Sequence, residues 1–150
     1  MENKKEPKQC IVVRGDLRNQ KGEKIRTGKI VAQACHASLG VVLDMFLRER
    51  YGGLCGNDPC RITRLSLEVE NGSDLDKWLN GLFTKICVKC NSEAELDAIY
   101  LMAEERGIPC KMIVDAGLTE FGGVPTKTAV AIGPDWEDKI NEVTGHLKLL

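Results

Sequence analysis

The sequence lacks a long hydrophobic run, an apolar segment near its start and an excess of charge of one sign. No apolar stretch approaches the ~18 residues that a membrane span requires. Residues 1–9 are charged and do not resemble a secretory signal. We therefore expect a cytoplasmic protein with no membrane partner. The formal net charge is −1, so any binding of nucleic acid must depend on a local basic patch.

Internal repeats, low-complexity segments and an interdomain linker are also missing. A chain of 150 residues, 43% apolar and 29% charged, has the composition of one globular domain spanning residues 1–150. We expect residues 1–8 to be flexible. Residues 51–71 contain a loop rich in Gly, Asn and Asp, followed by alternating apolar and polar residues, which predicts an expanded loop or hairpin.

The seven cysteines do not form a disulfide pattern, because their number is odd and most of them lie in apolar stretches. In a reducing compartment such residues act as small buried hydrophobes. A zinc site is the alternative, but a C-x-x-C pair on a strand points its two sulfurs to opposite faces. We therefore predict no metal site. The five cysteines predicted to be in the core are Cys10, Cys35, Cys87, Cys90 and Cys110; the other two are Cys55 and Cys60.

Strand patterns alternate with helix patterns along the chain. We predict a long helix that Thr27 caps and that runs to about Arg50. Shorter helices follow Ser73, the capping box of Ser92 and Glu95, and Asp135. Alternation of this kind predicts an α/β fold, a three-layer α/β/α sandwich. The predicted buried strands cover residues 10–14, 83–90, 110–114 and 128–132.

Two positions could carry chemistry at the ends of these elements. Lys29 lies in the first turn of the long helix, where free N–H groups favour an anion. It shares one helical stripe with Gln33, His36 and Gly40. This lysine could equally be an ordinary exposed residue, and a lone histidine on an apolar helix is more often a core residue.

Asp115 ends a predicted strand and is followed by Ala-Gly-Leu-Thr, which places a carboxylate at the sheet edge with room for a substrate. Thr119 could orient a water or a ribose hydroxyl. The alternative for this aspartate is an Asx-turn that only satisfies backbone donors.

A basic patch lies before the long helix. Lys21, Lys24 and Arg26 precede Lys29 within nine residues, with Glu23 as the only opposing charge. Such a patch could contact phosphates, although a solvated loop is the commoner explanation.

Taken together, five blocks in this order resemble type II peptidyl-tRNA hydrolases. The resemblance implies a mixed four-stranded sheet with helices on both faces. It also implies a metal-independent esterase, without a cofactor, that releases peptides from tRNA. The blocks are Val12-Val13-Arg14-Gly15-Asp16-Leu17, Gly28-Lys29-Ile30-Val31-Ala32-Gln33-Ala34-Cys35-His36-Ala37, Asp115-Ala116-Gly117-Leu118-Thr119, Ala131-Ile132-Gly133-Pro134 and Val143-Thr144-Gly145-His146-Leu147-Lys148-Leu149.

The resemblance assigns catalytic roles to Lys29, Asp115 and Thr119. It places Gln33 and His36 at the substrate, and we expect Gly117 to contact it too. The acceptor end of peptidyl-tRNA would then lie along the basic loop. A homodimer is compatible with the family, although no residue pattern indicates one.

The chain departs from the family beside the threonine, where Arg and Gln are common and this sequence has Leu118 and Glu120. We expect this change of charge to weaken phosphate binding locally. The alternative function is a non-catalytic tRNA-binding or RNA-binding module, or a regulatory interaction module, on the same fold.

Overall fold

The computed structural model of the protein describes residues 5–51 and 62–150. Within these residues, strands and helices alternate along much of the chain, as the sequence predicts. The strands are β1 (Pro7–Arg14), β2 (Leu47–Tyr51), β3 (Ile62–Ser66), β4 (Lys85–Cys90), β5 (Cys110–Asp115), β6 (Thr126–Trp136) and β7 (Lys148–Leu149). The helices are α1 (Thr27–Asp44), α2 (Asp74–Asn80), α3 (Glu93–Glu105) and α4 (Glu137–Thr144).

The main sheet of the described residues has five strands in the order β5-β6-β1-β4-β7. β1 and β4 run parallel, whereas β6 is antiparallel to both β1 and β5, and β7 is antiparallel to β4. The carboxyl ends of β1, β4 and β5 therefore lie at the same end of the sheet. The predicted α/β class and mixed sheet are confirmed, but the predicted number of four strands is wrong.

Helices cover both faces of this sheet. On one face, α1 packs on Ile11, Val13, Ala129 and Ala131. The other face carries a core of alternate residues from β1, β4 and β6, together with apolar side chains of α3 and α4. Because both faces of β1 are covered, this strand is a continuous buried run without polar alternation.

The first helix is shorter than predicted. It ends at Asp44, where the Met45 N–H donates to the Val42 carbonyl and the Phe46 N–H donates to the Leu43 carbonyl, which tightens the last turn. Residues 47–51 instead form β2, which pairs with β3. Helix propensity is a weak preference, and strand pairing overrides it here. The predicted expansion over residues 51–71 is described only in part: β3 overlaps the alternating stretch, β2 lies almost wholly before it, and residues 52–61 lie outside the described part.

Other boundaries also differ from the prediction. Thr27 is the first helical residue and does not act as a side-chain cap, and α4 begins after Trp136 instead of directly after Asp135. The predicted caps Ser73 and Ser92 are confirmed, each accepting a backbone N–H. Strand β1 begins at Pro7, within the segment that we expected to be flexible.

The cysteine prediction is confirmed only in part. Cys10 and Cys90 are buried, and Cys87 and Cys110 are half-buried, but Cys35 is exposed on α1. All five are free thiols. Cys87 and Cys90 belong to opposite faces of the sheet, as the strand spacing predicts. Cys55 and Cys60 lie outside the described residues.

Candidate active site

The first turn of α1 and the end of β5 meet at one end of the sheet. The loop after β1 leads into α1, which packs against β5 and β6. Lys29 Nζ donates to Asp115 Oδ2 over 2.6 Å. The two side chains are only 16% and 14% exposed. The two groups that the sequence predicts at separate element ends thus form one ion pair in a partly buried position.

Asp115 accepts hydrogen bonds at both carboxylate oxygens. Its Oδ2 accepts from Lys29 and from Gln33 Nε2 (3.0 Å), and its Oδ1 accepts from the Gly117 N–H (2.9 Å). Burial raises the pKa of the Asp115 carboxyl, but these hydrogen bonds and the Lys29 charge lower it by more. The net pKa lies below its ordinary value, so Asp115 is a carboxylate at neutral pH.

Thr128 fixes the orientation of Gln33 and was not singled out from the sequence. The buried Thr128 hydroxyl donates to Gln33 Oε1 over 2.6 Å. This contact leaves the Gln33 amide group pointing at Asp115. Threonine is common in strands because it is β-branched, and nothing else in the sequence distinguishes Thr128 from an ordinary strand residue. Gln33 therefore has donor and acceptor engaged inside the protein.

Thr119 lies in the turn that follows Asp115. Its Oγ1 accepts from Lys29 Nζ at 3.2 Å, and the residue is exposed. Gly117 starts this turn with φ +80, and a Cβ there would lie 2.1 Å from the Val124 carbonyl oxygen. Only glycine fits such a conformation and such a close approach. The Gly117 backbone thus shapes the turn and supplies a donor to Asp115.

The loop before α1 is an ordered turn that presents lysines. The Asn19 side chain accepts from the backbone N–H groups of Lys21 and Glu23. Arg18 and Lys24 pair across the loop. A polar cavity of about 270 Å³ lies between this loop and the turn at Thr119. The basic loop and the Lys29–Asp115 pair therefore lie beside one another.

From the sequence we expected Glu120 to add an uncompensated negative charge beside the site. In the structure this charge is compensated. Its carboxylate is buried and accepts from Arg26 Nε over 2.6 Å, while the Arg26 side chain is 78% exposed. Leu118, the other departure, is 83% exposed. The Arg26–Glu120 ion pair ties the basic loop to the turn and leaves the outer nitrogens of the guanidinium available.

His36 lies on the predicted stripe but does not belong to the hydrogen-bonded cluster. It is exposed on α1 and is not a core residue. At Gly40, further along the stripe, an added Cβ would meet the Lys111 side chain at 3.1 Å. The stripe is therefore polar at Lys29 and Gln33, where it faces the site, and serves packing at Gly40.

Across residues 5–51 and 62–150, no three His, Cys, Asp or Glu side chains are grouped closely enough to hold a metal ion. In the same residues no helix has the length and hydropathy needed to cross a membrane.

Comparison with known proteins places this chain in a family. The model of the family "Peptidyl-tRNA hydrolase PTH2" matches residues 7–150. A peptidyl-tRNA hydrolase of Methanopyrus kandleri is 38% identical over 143 residues, covering 95% of this chain and 97% of the relative. The peptidyl-tRNA hydrolase of Methanocaldococcus jannaschii is also 38% identical and is covered to 99% of its length.

A solved structure supports the fold alone. The protein of unknown function Atu0240 from Agrobacterium aligns with a TM-score of 0.51 at 12% identity, covering 97% of this chain and 98% of that one. The family match spans nearly the whole chain and agrees with the sequence resemblance. The chain belongs to the PTH2 family of peptidyl-tRNA hydrolases.

Proposed function

We propose that this protein hydrolyses peptidyl-tRNA, cutting the ester between a peptide or N-blocked amino acid and the 3′-terminal ribose, and so recycles tRNA. The observation that carries this proposal is the Lys29–Asp115 pair beside a basic loop. Ester hydrolysis requires a positioned water and stabilisation of a developing oxyanion. The pair offers one group for each task, and the curated relatives are named for this reaction.

In the proposed mechanism Asp115 positions the attacking water. Its Oδ1 accepts only the Gly117 N–H in the described structure, and a carboxylate oxygen can accept a second bond. The water adds to the ester carbonyl carbon, the bond to the ribose oxygen breaks, and the released ribose hydroxyl takes up a proton from the water. Because the Asp115 pKa is lowered, this group is a weak base, and we assign it mainly to positioning.

Lys29 and Thr119 complete the proposed catalytic set. An ammonium has three donors; Lys29 uses one toward Asp115 and one toward Thr119. The third can reach the oxyanion or a nearby phosphate. Since Thr119 accepts from Lys29, its own hydroxyl hydrogen is free for the water or the ribose. Gln33 acts as a positioning residue for Asp115, because both ends of its amide are engaged.

The acceptor end of tRNA lies along the basic loop in this proposal. Lys21, Lys24 and Arg26 line the cavity that opens next to Thr119, and cations beside a cleft attract phosphates. Gly117 contributes by shaping the turn that carries Thr119 and by donating its N–H to Asp115. His36 stays a proposed substrate contact at the exposed side of α1. In this proposal the chain works as a single catalytic domain in the cytoplasm, where translation releases peptidyl-tRNA.

We also propose that two copies associate through an apolar face. Val31, Leu39 and Phe83 are 54%, 58% and 48% exposed, and they line a groove of about 480 Å³ between α1 and α2. Contiguous exposed apolar surface favours association, and a two-fold dimer lets one patch cover its copy. Light scattering of the purified protein measures its mass in solution. We expect the mass of two chains, and the mass of one chain would contradict the dimer.

The test of the proposed function is incubation of the purified protein with N-acetyl-aminoacyl-tRNA, with and without a chelator. We expect deacylation in both samples, because the resemblance implies a metal-independent esterase. Loss of turnover on chelation would contradict metal independence. Tight tRNA binding without any deacylation would favour the non-catalytic RNA-binding alternative.

A further inference from the structure

A second basic pocket lies on the described chain away from the Lys29–Asp115 pair. It is a cavity of about 320 Å³ lined by Lys89, Asn91, Glu95, His146, Leu147 and Lys148. The segment from Thr144 to Leu149, which the sequence analysis singled out, has no role in the proposed reaction. The pocket brings this segment next to the end of β4.

Two lysines face each other across this pocket. Lys89 of β4 and Lys148 of β7 are directly paired in the antiparallel register, so their side chains extend from the same face of the sheet. Like charges at such a position are destabilising. Within the described residues, neither ammonium has a carboxylate within ion-pair distance, in contrast to Lys5, Lys111 and Lys139. An anion held between them would offset this cost to the fold.

The backbone holds this arrangement in place. Gly145 ends α4, and a Cβ there would lie 2.6 Å from the Asn141 carbonyl oxygen. Leu147 packs against the core beneath α3 and α4, which leaves His146 and Lys148 exposed on either side of it. The one acidic side chain at the pocket, Glu95, already accepts the Asn91 N–H over 2.6 Å.

The pocket lies at the same end of the sheet as the active site. Carboxyl ends of β4 and β5 lie at the same end of the sheet, and the Gly15 N–H at the start of the loop donates to the Cys90 carbonyl beside Lys89. β4 and β5 are three strand spacings apart in the sheet order, about 14 Å. A group bound there is too far away to be the ester itself.

We propose that Lys89, Lys148 and His146 bind a backbone phosphate of the tRNA substrate, at a distance from the terminal ester. The site rests on the proposed function for the identity of its ligand. It supplies part of the local positive charge that a chain of net charge −1 needs in order to bind RNA.

The test compares the double variant K89Q/K148Q with the control K5Q/K111Q. The control removes the same charge from two lysines at the opposite end of the sheet, one exposed and one half-buried. Binding of deacylated tRNA is followed by fluorescence anisotropy over a range of salt. We expect K89Q/K148Q to weaken binding roughly tenfold and to flatten the logarithmic salt slope by between about one and two, since each lost phosphate contact reduces it by about 0.9. K89R/K148R should restore both values.

Two further measurements separate the possible outcomes. For an N-acetyl-aminoacyl ester of adenosine, we expect K89Q/K148Q to keep the wild-type KM and kcat, because this substrate carries no phosphate. Titration with inorganic phosphate distinguishes a site for free anions from one for RNA. A change in phosphate binding without a change in tRNA binding would overturn the proposal.

Equal tRNA affinity and salt slope for K89Q/K148Q and its control would also overturn it. A melting temperature lower than that of the control would assign the lysines to folding, contrary to the expected relief of repulsion. If the wild type binds tRNA but does not hydrolyse it, the proposed function fails, and the comparison of the two double variants still decides the phosphate site.

Discussion

Thr128→Val should impair the active site without touching any group that contacts substrate. Valine has nearly the shape of threonine but lacks the hydroxyl that donates to Gln33 Oε1. Gln33 cannot compensate by rotating its amide, because its oxygen would then face the Asp115 carboxylate, which now accepts from Gln33 Nε2. The substitution therefore leaves a buried carbonyl oxygen without a donor and releases one of the contacts that hold Asp115.

The magnitude follows from these contacts. An unsatisfied buried acceptor costs about 1–3 kcal/mol, so the free energy of unfolding of Thr128→Val should fall by that amount. Asp115 keeps its bonds from Lys29 and Gly117. Because Asp115 is then held less firmly, we expect a loss of about 1.4 kcal/mol of transition-state stabilisation, which corresponds to a roughly tenfold fall in kcat.

The assay pairs urea denaturation with steady-state hydrolysis of N-acetyl-aminoacyl-tRNA. Thr128→Ser is the matched control, because it keeps the hydroxyl and loses only a buried methyl group. We expect the serine variant to lose about 1 kcal/mol of stability and to keep its kcat. If valine and serine at this position give the same kcat, the Thr128–Gln33–Asp115 chain does not position the carboxylate.

Three further variants, one of them a double substitution, test other parts of the site. Lys29→Met should lower kcat and move the acidic limb of the pH–rate profile upward, because burial then raises the Asp115 pKa with less opposition. In the wild type this limb should lie below about pH 4, where Asp115 also ceases to stabilise the fold. An acidic limb at the same pH in both proteins would contradict the assigned cause. Gly117→Ala should cost about 2 kcal/mol or more in a denaturation experiment, since its Cβ clashes with backbone at φ +80; unchanged stability would refute the close approach. Charge reversal of Lys21 and Lys24 should raise KM and flatten its salt dependence, and an unaltered salt response would remove the basic loop from the tRNA footprint.

The meeting of Lys29 and Asp115 could be predicted from the sequence, because strand carboxyl ends and helix N-termini gather at one end of an α/β sheet. Most element types could also be predicted, because the apolar residues recur with strong helix or strand periodicity. The polar stripe on α1 singled out Gln33, whose neighbours on the helix are apolar, and its side chain donates to Asp115.

Features that depend on distant partners could not be predicted. Strand β7 has two residues, too few to show alternation. The compensation of Glu120 by Arg26 joins residues 94 positions apart, and the role of Thr128 joins residues 95 apart. Cys35 was expected in the core because α1 is apolar on several sides, but part of that apolar surface borders an open groove. His36, for which a core position was the commoner alternative, is exposed on the same helix.

The most direct test of the proposed chemistry is the single-turnover hydrolysis rate of Asp115→Asn at saturating enzyme, measured together with its affinity for tRNA. Asparagine keeps the shape of the side chain and removes the negative charge that holds Lys29 and the water. We expect the rate constant to fall about a hundredfold or more, with tRNA affinity unchanged or tighter. A rate constant within about twofold of the wild type, when a loss of two orders of magnitude is expected, would show that this carboxylate does not take part in the reaction.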